Sequence, residues 1–264
     1  MVRVRIFLFF FCPAVFFSCG IENYIYLEAV QYVNVTGVNS AVVQIPDNTG
    51  MSEFRYYAVY YRIYLSDQSL ESITTDYQRS QINPALASHY NAIDPYTSND
   101  NVSPNAIASV FSSLNYHSLY YFDASTNSEY SSSQLLLHSG GPPGFTGLIP
   151  YVSGVNFSFI TSAGASLTIT DSSGTSSPLY LYRSQDRFTP RPSRLFVNTT
   201  GAGNLSDPSI ISGNVNADVE RKTTMSSSNR YAFVSLYIVA VGMDNNYGTI
   251  YSRPKHIGIF RLPQ

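Results

Sequence analysis

Between Phe54 and Leu65 the chain places Tyr57, Val59, Tyr61, Ile63 and Leu65 on one side and Phe54, Tyr56, Ala58, Tyr60, Arg62 and Tyr64 on the other. A period of two with little polar relief predicts a strand covered at least partly on both faces. Tyr231 to Gly242 is a nearly continuous apolar run, followed by the turn Asp244–Gly248 and by strands predicted at Thr249–Tyr251 and His256–Leu262. Near the start, Ile21–Val35 and Ala41–Ile45 are apolar on either side of a Gly37–Ser40 turn. From Leu70 the period changes. Asn83-Pro84 opens a helix with Leu86, His89, Tyr90 and Ile93 on one stripe and Asp94-Pro95 at its end, and Ser103-Pro104 opens another with Ile107, Val110, Phe111 and Leu114. A capping side chain followed by proline at the first helical position is the shared signal, and both stripes are expected to pack on a sheet. Strand patterns then return at Tyr116–Asp123, Ser133–His138, Leu148–Val152, Val155–Ile160, Ser166–Thr170, Leu179–Arg183, Leu195–Val197 and Ile210–Val219.

Composition narrows the function classes. Charged residues make up only 12% and the net charge is −2, so no basic field exists to recruit nucleic acid or an anionic surface. With 44% hydrophobic residues the chain has enough apolar surface to fold. Tyr (22) and Phe (16) are abundant and Trp is absent, a composition suited to pleated surfaces.

The N-terminus combines Arg3 and Arg5 with an apolar stretch from Ile6 to Phe17 and ends in Phe16-Phe17-Ser18-Cys19-Gly20. Twelve residues make about 18 Å of helix against a hydrocarbon core of about 30 Å, so this is a secretory signal rather than a span. A small residue followed by cysteine and glycine resembles the bacterial lipobox, in a relaxed form similar to that of spirochaete lipoproteins. The resemblance implies cleavage after residue 18, acyl chains on Cys19 and a place in the bacterial cell envelope, the outer membrane being favoured. Cleavage removes Cys12 and leaves Cys19 as the last cysteine, which excludes an intrachain disulfide. An ordinary signal peptide is the alternative, and the sequons at Asn34, Asn101, Asn156, Asn198 and Asn204 would suit a secreted eukaryotic chain. Strand-like sequence begins at Ile21, so the body is expected close to the bilayer.

The run ending Val239-Ala240-Val241-Gly242, with Ser252 and Pro254 after the turn, resembles the last two strands of fibronectin type III domains. Val30–Ile45 and Phe54–Leu65 resemble the early strands of that fold. The resemblance implies a mainly β, immunoglobulin- or fibronectin type III-like sandwich over residues 19–264, with core strands at about 22–70 and 195–264 and a large α+β insertion at about 71–194. Two consecutive domains remain open as the other arrangement.

No catalytic signature stands out. There is no G-x-S-x-G elbow, and His138-Ser139-Gly140-Gly141-Pro142-Pro143-Gly144 reads as a rigid turn. His89, His117, His138 and His256 have no metal-ligand spacing, with His89 expected as a packing residue. Asp94-x-Tyr96-x-Ser98-x-Asp100 and Asp123-x-Ser125-x-Asn127-x-Glu129 lack the glycine and closing glutamate of a calcium loop and are expected to be solvated bends. Gly201-Ala202-Gly203 lacks the lysine of a phosphate loop, and no cofactor is expected. Tyrosines in loop-like context offer large contact area at low rotamer cost, which makes Tyr96, Tyr130, Tyr151 and Tyr247 the candidate binding residues. The sequence therefore predicts a non-enzymatic, membrane-tethered interaction module for a protein or glycan partner. The alternatives are an envelope hydrolase with its site in residues 71–180, for which His117 or His138 would need a carboxylate and a hydroxyl in reach, and a ligand-capture lipoprotein with a deep apolar cavity.

Overall fold

The computed structural model describes residues 27–46, 48, 50–70, 75–99, 102–123, 128–131, 154–161, 164–170, 176–182, 218–221 and 231–262. The signal region, Cys19 and the strands predicted at 133–138, 148–152 and 195–197 lie outside them.

The organising pair is β3 (Phe54–Ser66) with β11 (Tyr231–Met243), each 13 residues long and antiparallel from Tyr231 opposite Ser66 to Gly242 opposite Phe54. The outer edge of β3 carries β4 (His117–Ser118) and, in parallel, β10 (Val219–Arg221). The outer edge of β11 carries β12 (Thr249–Tyr251) and β13 (Lys255–Arg261). A second sheet consists of antiparallel pairs. It is formed by β1 (Tyr32–Val35), β2 (Ser40–Gln44), β5 (Tyr120–Asp123), β6 (Ser128–Ser131), β7 (Gly154–Thr161), β8 (Gly164–Thr170) and β9 (Ser176–Tyr182). Its order is β1-β2-β7-β8-β9-β5-β6. The chain is thus mainly β, with two sheets sharing one core. The middle of the sequence contributes to that core, because β7 pairs with β2 from Ser40 opposite Ser158 to Gln44 opposite Gly154.

Alternation decides what each face of β3 and β11 meets. Tyr57, Val59, Tyr61, Ile63 and Leu65, with Val234, Leu236, Ile238 and Ala240, pack on Ala41, Val43, Val155, Phe157 and Phe159 of the other sheet. The opposite face is covered by helices α1 (Asp76–Ser80), α2 (Pro84–Ser98) and α3 (Ile107–Ser113). There Ala58, Tyr237, Val239 and Val241 meet Ile93, Ile107 and Phe111, while Tyr64, Phe233 and Ile259 meet Leu70, Ile82 and Leu86. Tyr60 stacks on Phe111 at 4.6 Å between ring centres. Burial on both faces explains why these strands read as continuous apolar runs.

Four local expectations change. Phe54 joins the inter-sheet core, 5.1 Å from the Tyr57 ring, because a bulge between Val241 and Gly242 shifts the register and breaks the alternation at Arg55. Pro95 does not end α2, which continues to Ser98. Proline forfeits its own hydrogen bond and its ring crowds the carbonyl four residues back, but the helix is held beyond it by Asn99 N–H, which donates to the Pro95 carbonyl at 3.2 Å. Asn83 caps α2 through its side chain as expected, whereas Ser103 makes no side-chain cap and Pro104–Ala106 form a 3₁₀ turn before α3. The short α1 was not expected at all.

The first described residues are held at a fixed point. Leu27 is buried, and the buried Asn48 clamps the next residue, accepting from Glu28 N–H at 3.0 Å and donating to the Glu28 carbonyl at 2.9 Å. Asn48 also donates to the Tyr57 hydroxyl, which in turn donates to the Pro46 carbonyl.

Candidate functional site

The polar groups of the helix-covered face form one connected line. His89 Nδ1 lies 2.8 Å from the Tyr64 hydroxyl, Tyr64 donates to Tyr116 at 3.2 Å and Tyr116 donates to Ser235 at 3.3 Å. Ser235 Oγ lies 3.3 Å from His256 Nε2, and His256 Nδ1 lies 2.9 Å from Asp76 Oδ2. One proton assignment satisfies every member. His89 donates to Tyr64, each hydroxyl donates to the next, Ser235 donates to His256 Nε2, and His256 Nδ1–H donates to the Asp76 carboxylate.

Backbone features aim these side chains. A bulge between Leu236 and Tyr237 puts His256 opposite Tyr237 and Gly258 opposite Leu236, so His256 points to the helix face while Ile257 points into the inter-sheet core. Gly258 has φ of 147°, and a Cβ there would lie 2.7 Å from the Phe260 ring, so glycine is required. Asp76 is set at the start of α1 by a capping box in which Thr75 accepts from Gln78 N–H and the Gln78 side chain accepts from Thr75 N–H.

Burial and neighbouring charge set the protonation states. Burial pushes the Tyr64, Tyr116 and Tyr237 phenols up, which keeps them neutral donors. Burial and the Arg62 guanidinium hold the His89 imidazole below its ordinary range, against an opposing pull from Glu220. For Asp76, burial pushes the carboxyl up, but the His256 hydrogen bond and, when that imidazole is protonated, its charge, with Arg79 and Lys255, leave it lowered. Arg62, itself buried, pairs with Glu220 and donates to the Leu114 carbonyl.

One end of the line opens to a cleft of about 290 Å³. Its walls are Val33 and Val35 of β1, Asp76 of α1, Tyr90, Asp94 and Thr97 of α2, and Tyr237, Lys255, His256 and Ile257. A shallower hollow of about 490 Å³ shares Thr97 and Lys255 with it and extends to Arg253, Pro254 and Ala29–Gln31. Chemically the cleft offers two carboxylates, an ammonium and an imidazole beside the Tyr90 ring, which meets His256 edge-on at 5.5 Å. Carboxylate, imidazole and hydroxyl stand in the order of a nucleophilic triad, yet Ser235 is 1% exposed and does not line the cleft.

Of the residues singled out from sequence, Tyr247 stands 85% exposed at the tip of the β11–β12 turn, while Tyr96 is half-buried against the helix-side core. Tyr130 faces Tyr121 in the β5–β6 ladder, its side chain outside the described residues, as are Cys19, Tyr151 and His138. His89 is the satisfied packing histidine expected. Asp94, Tyr96 and Ser98 are helical in α2, so they form no calcium-type bend. Among the described residues no group of three His, Cys, Asp or Glu side chains is placed to hold a metal, and no helix is long and apolar enough to cross a membrane. Sequence reasoning missed Asp76, Ser235 and His256, whose partners lie 21 to 180 residues apart. The Thr75-x-x-Gln78 capping box was the one local signal for Asp76.

No protein-family model, curated protein or solved structure matches the chain.

Proposed function

We propose that the chain is a bacterial lipoprotein, tethered through acyl chains on Cys19 to the cell envelope, most favourably the outer membrane, whose body is a non-enzymatic interaction module. The observation that carries this is the spacing between anchor and body. Leu27 is packed and Glu28 is clamped by Asn48, eight residues beyond Cys19, which can span at most about 28 Å. Such a linkage suits a body that works at a membrane surface. Several acyl chains, at about 0.8 kcal/mol per buried methylene, would hold it there stably. The finer fold is an immunoglobulin- or fibronectin type III-like sandwich, supported by the antiparallel β3–β11–β13 succession and the core shared between two sheets. The partner, protein or glycan, would meet exposed tyrosines such as Tyr77, beside Asp76 on α1. Large side chains that fill the inter-sheet space, Tyr57, Tyr61, Phe157 and Phe159 among them, weigh against ligand capture in a deep cavity. Fractionation of cells expressing wild type and Cys19→Ser tests the proposal: the variant is expected to lose membrane retention, and equal retention of both would refute it.

A second reading, an envelope hydrolase, is favoured by the Asp76–His256–Ser235 succession. It requires Ser235 to become accessible, and labelling of that residue by a fluorophosphonate would support it. A Ser235 that stays unlabelled in folded protein would exclude it.

A further inference from the structure

The end of the body at which Leu27 packs carries the most exposed large apolar side chain among the described residues. Leu27 sits against Gly242, its Cδ1 being 3.0 Å from where a Cβ on that glycine would be. One residue on, at Met243, β11 ends and the chain turns through Asp244–Gly248, with Tyr247 85% exposed at its tip. The same end holds the start of β1, because Tyr32 lies opposite Gln44, the last residue of β2, and the loop that follows leads to Phe54 opposite Gly242. Tyr32 is 52% exposed. Two of the three exposed large apolar side chains among the described residues therefore lie at the end where Leu27, the first described residue, packs.

The turn is built to hold Tyr247 outward. Asp244 Oδ1 accepts from Asn246 N–H at 2.9 Å and from Gly248 N–H at 2.6 Å, and Asp244 N–H donates to the Gly248 carbonyl at 2.9 Å. Tyr247 has φ of 62°, a conformation that asparagine or glycine adopts more readily. A bulky aromatic is thus rigidly displayed at a position where a small residue would be easier to place.

We propose that this is the membrane-facing end, with Tyr247 and Tyr32 seated at headgroup level in the bilayer that holds Cys19. Amphipathic tyrosine rings prefer that depth, apolar body inward and hydroxyl to water. The eight-residue linkage from Cys19 keeps the end within reach of the surface. Glu28, Glu53 and Asp244 are balanced here by Arg55 and by Arg253 and Lys255 beside Ala29–Gln31, so the fitting occupant is a neutral, zwitterionic lipid surface. The inference rests on the lipid-anchor reading.

Because the chain has no tryptophan, Tyr247→Trp makes a single tryptophan that can be excited selectively over the tyrosines. The full lipidated protein, purified from membranes, is reconstituted in phosphatidylcholine vesicles with brominated acyl chains, alongside Tyr77→Trp on α1 as the reference. Severalfold stronger quenching and a bluer emission at position 247 than at 77 are expected, with Tyr32→Trp behaving like 247. Acylated Cys19 in the intact mass, combined with equal or weaker quenching at 247, would overturn this inference and leave the anchor standing. An unmodified Cys19 would overturn both.

Discussion

Asp76 Oδ2 and His256 Nδ1 are 2.9 Å apart although 180 residues separate them in the chain. The contact fastens α1 to β13, a junction also made by the buried Arg79, which donates to the Ile259 carbonyl. Because the Asp76 carboxyl is lowered in the folded protein from an ordinary 3.8, its stabilising contribution is fully present above that value and is lost as pH falls through the lowered one. Asp76→Asn is expected to cost about 1 kcal/mol at neutral pH, since the carboxylate is partly exposed. The gap to wild type should close below about pH 4, as urea melts across the acid range would show. A gap that persists at low pH would contradict the ionic contribution.

Ser235 is the link between Tyr116 and His256. Ser235→Ala leaves the buried Tyr116 hydroxyl without its acceptor and His256 Nε2 without its donor. A loss of roughly 1–3 kcal/mol in chemical denaturation is expected. No change would mean that the line is not formed as described.

Asn48→Ala removes three hydrogen bonds, two to Glu28 near the start of the described chain and one to Tyr57. About 2–3 kcal/mol of stability should be lost, and proteolysis near residue 28 should accelerate. Unaltered protease resistance there would argue against a clamp.

The long elements were legible because hydrophobic period and turn chemistry act locally. β3 and β11 lie within one residue of their expected ends and β12 matches its own. Asn83-Pro84 marked α2 because cap and proline fix one turn without tertiary help. What was not legible depends on register or on distant contacts. The bulge that turns Phe54 inward is a property of the pairing with β11, and α1 has only five residues. The Ser235–His256–Asp76 succession needs β11, β13 and α1 assembled before it exists, so no spacing in the chain announces it.

Tyr247 offers a contrast between stability and exposure. Tyr247→Asn replaces a bulky side chain at positive φ by one that tolerates it, and should raise stability in solution by roughly 0.5–1 kcal/mol, read from urea midpoints. A destabilised variant would show that the phenol ring makes a contact worth more than its backbone strain.

The most direct measurement is mass spectrometry of the mature N-terminus, on protein taken from membranes. A lipid-anchored module predicts a chain that begins at Cys19 and carries acyl chains on that residue. A chain that begins elsewhere, or a Cys19 with its thiol unmodified, would contradict it.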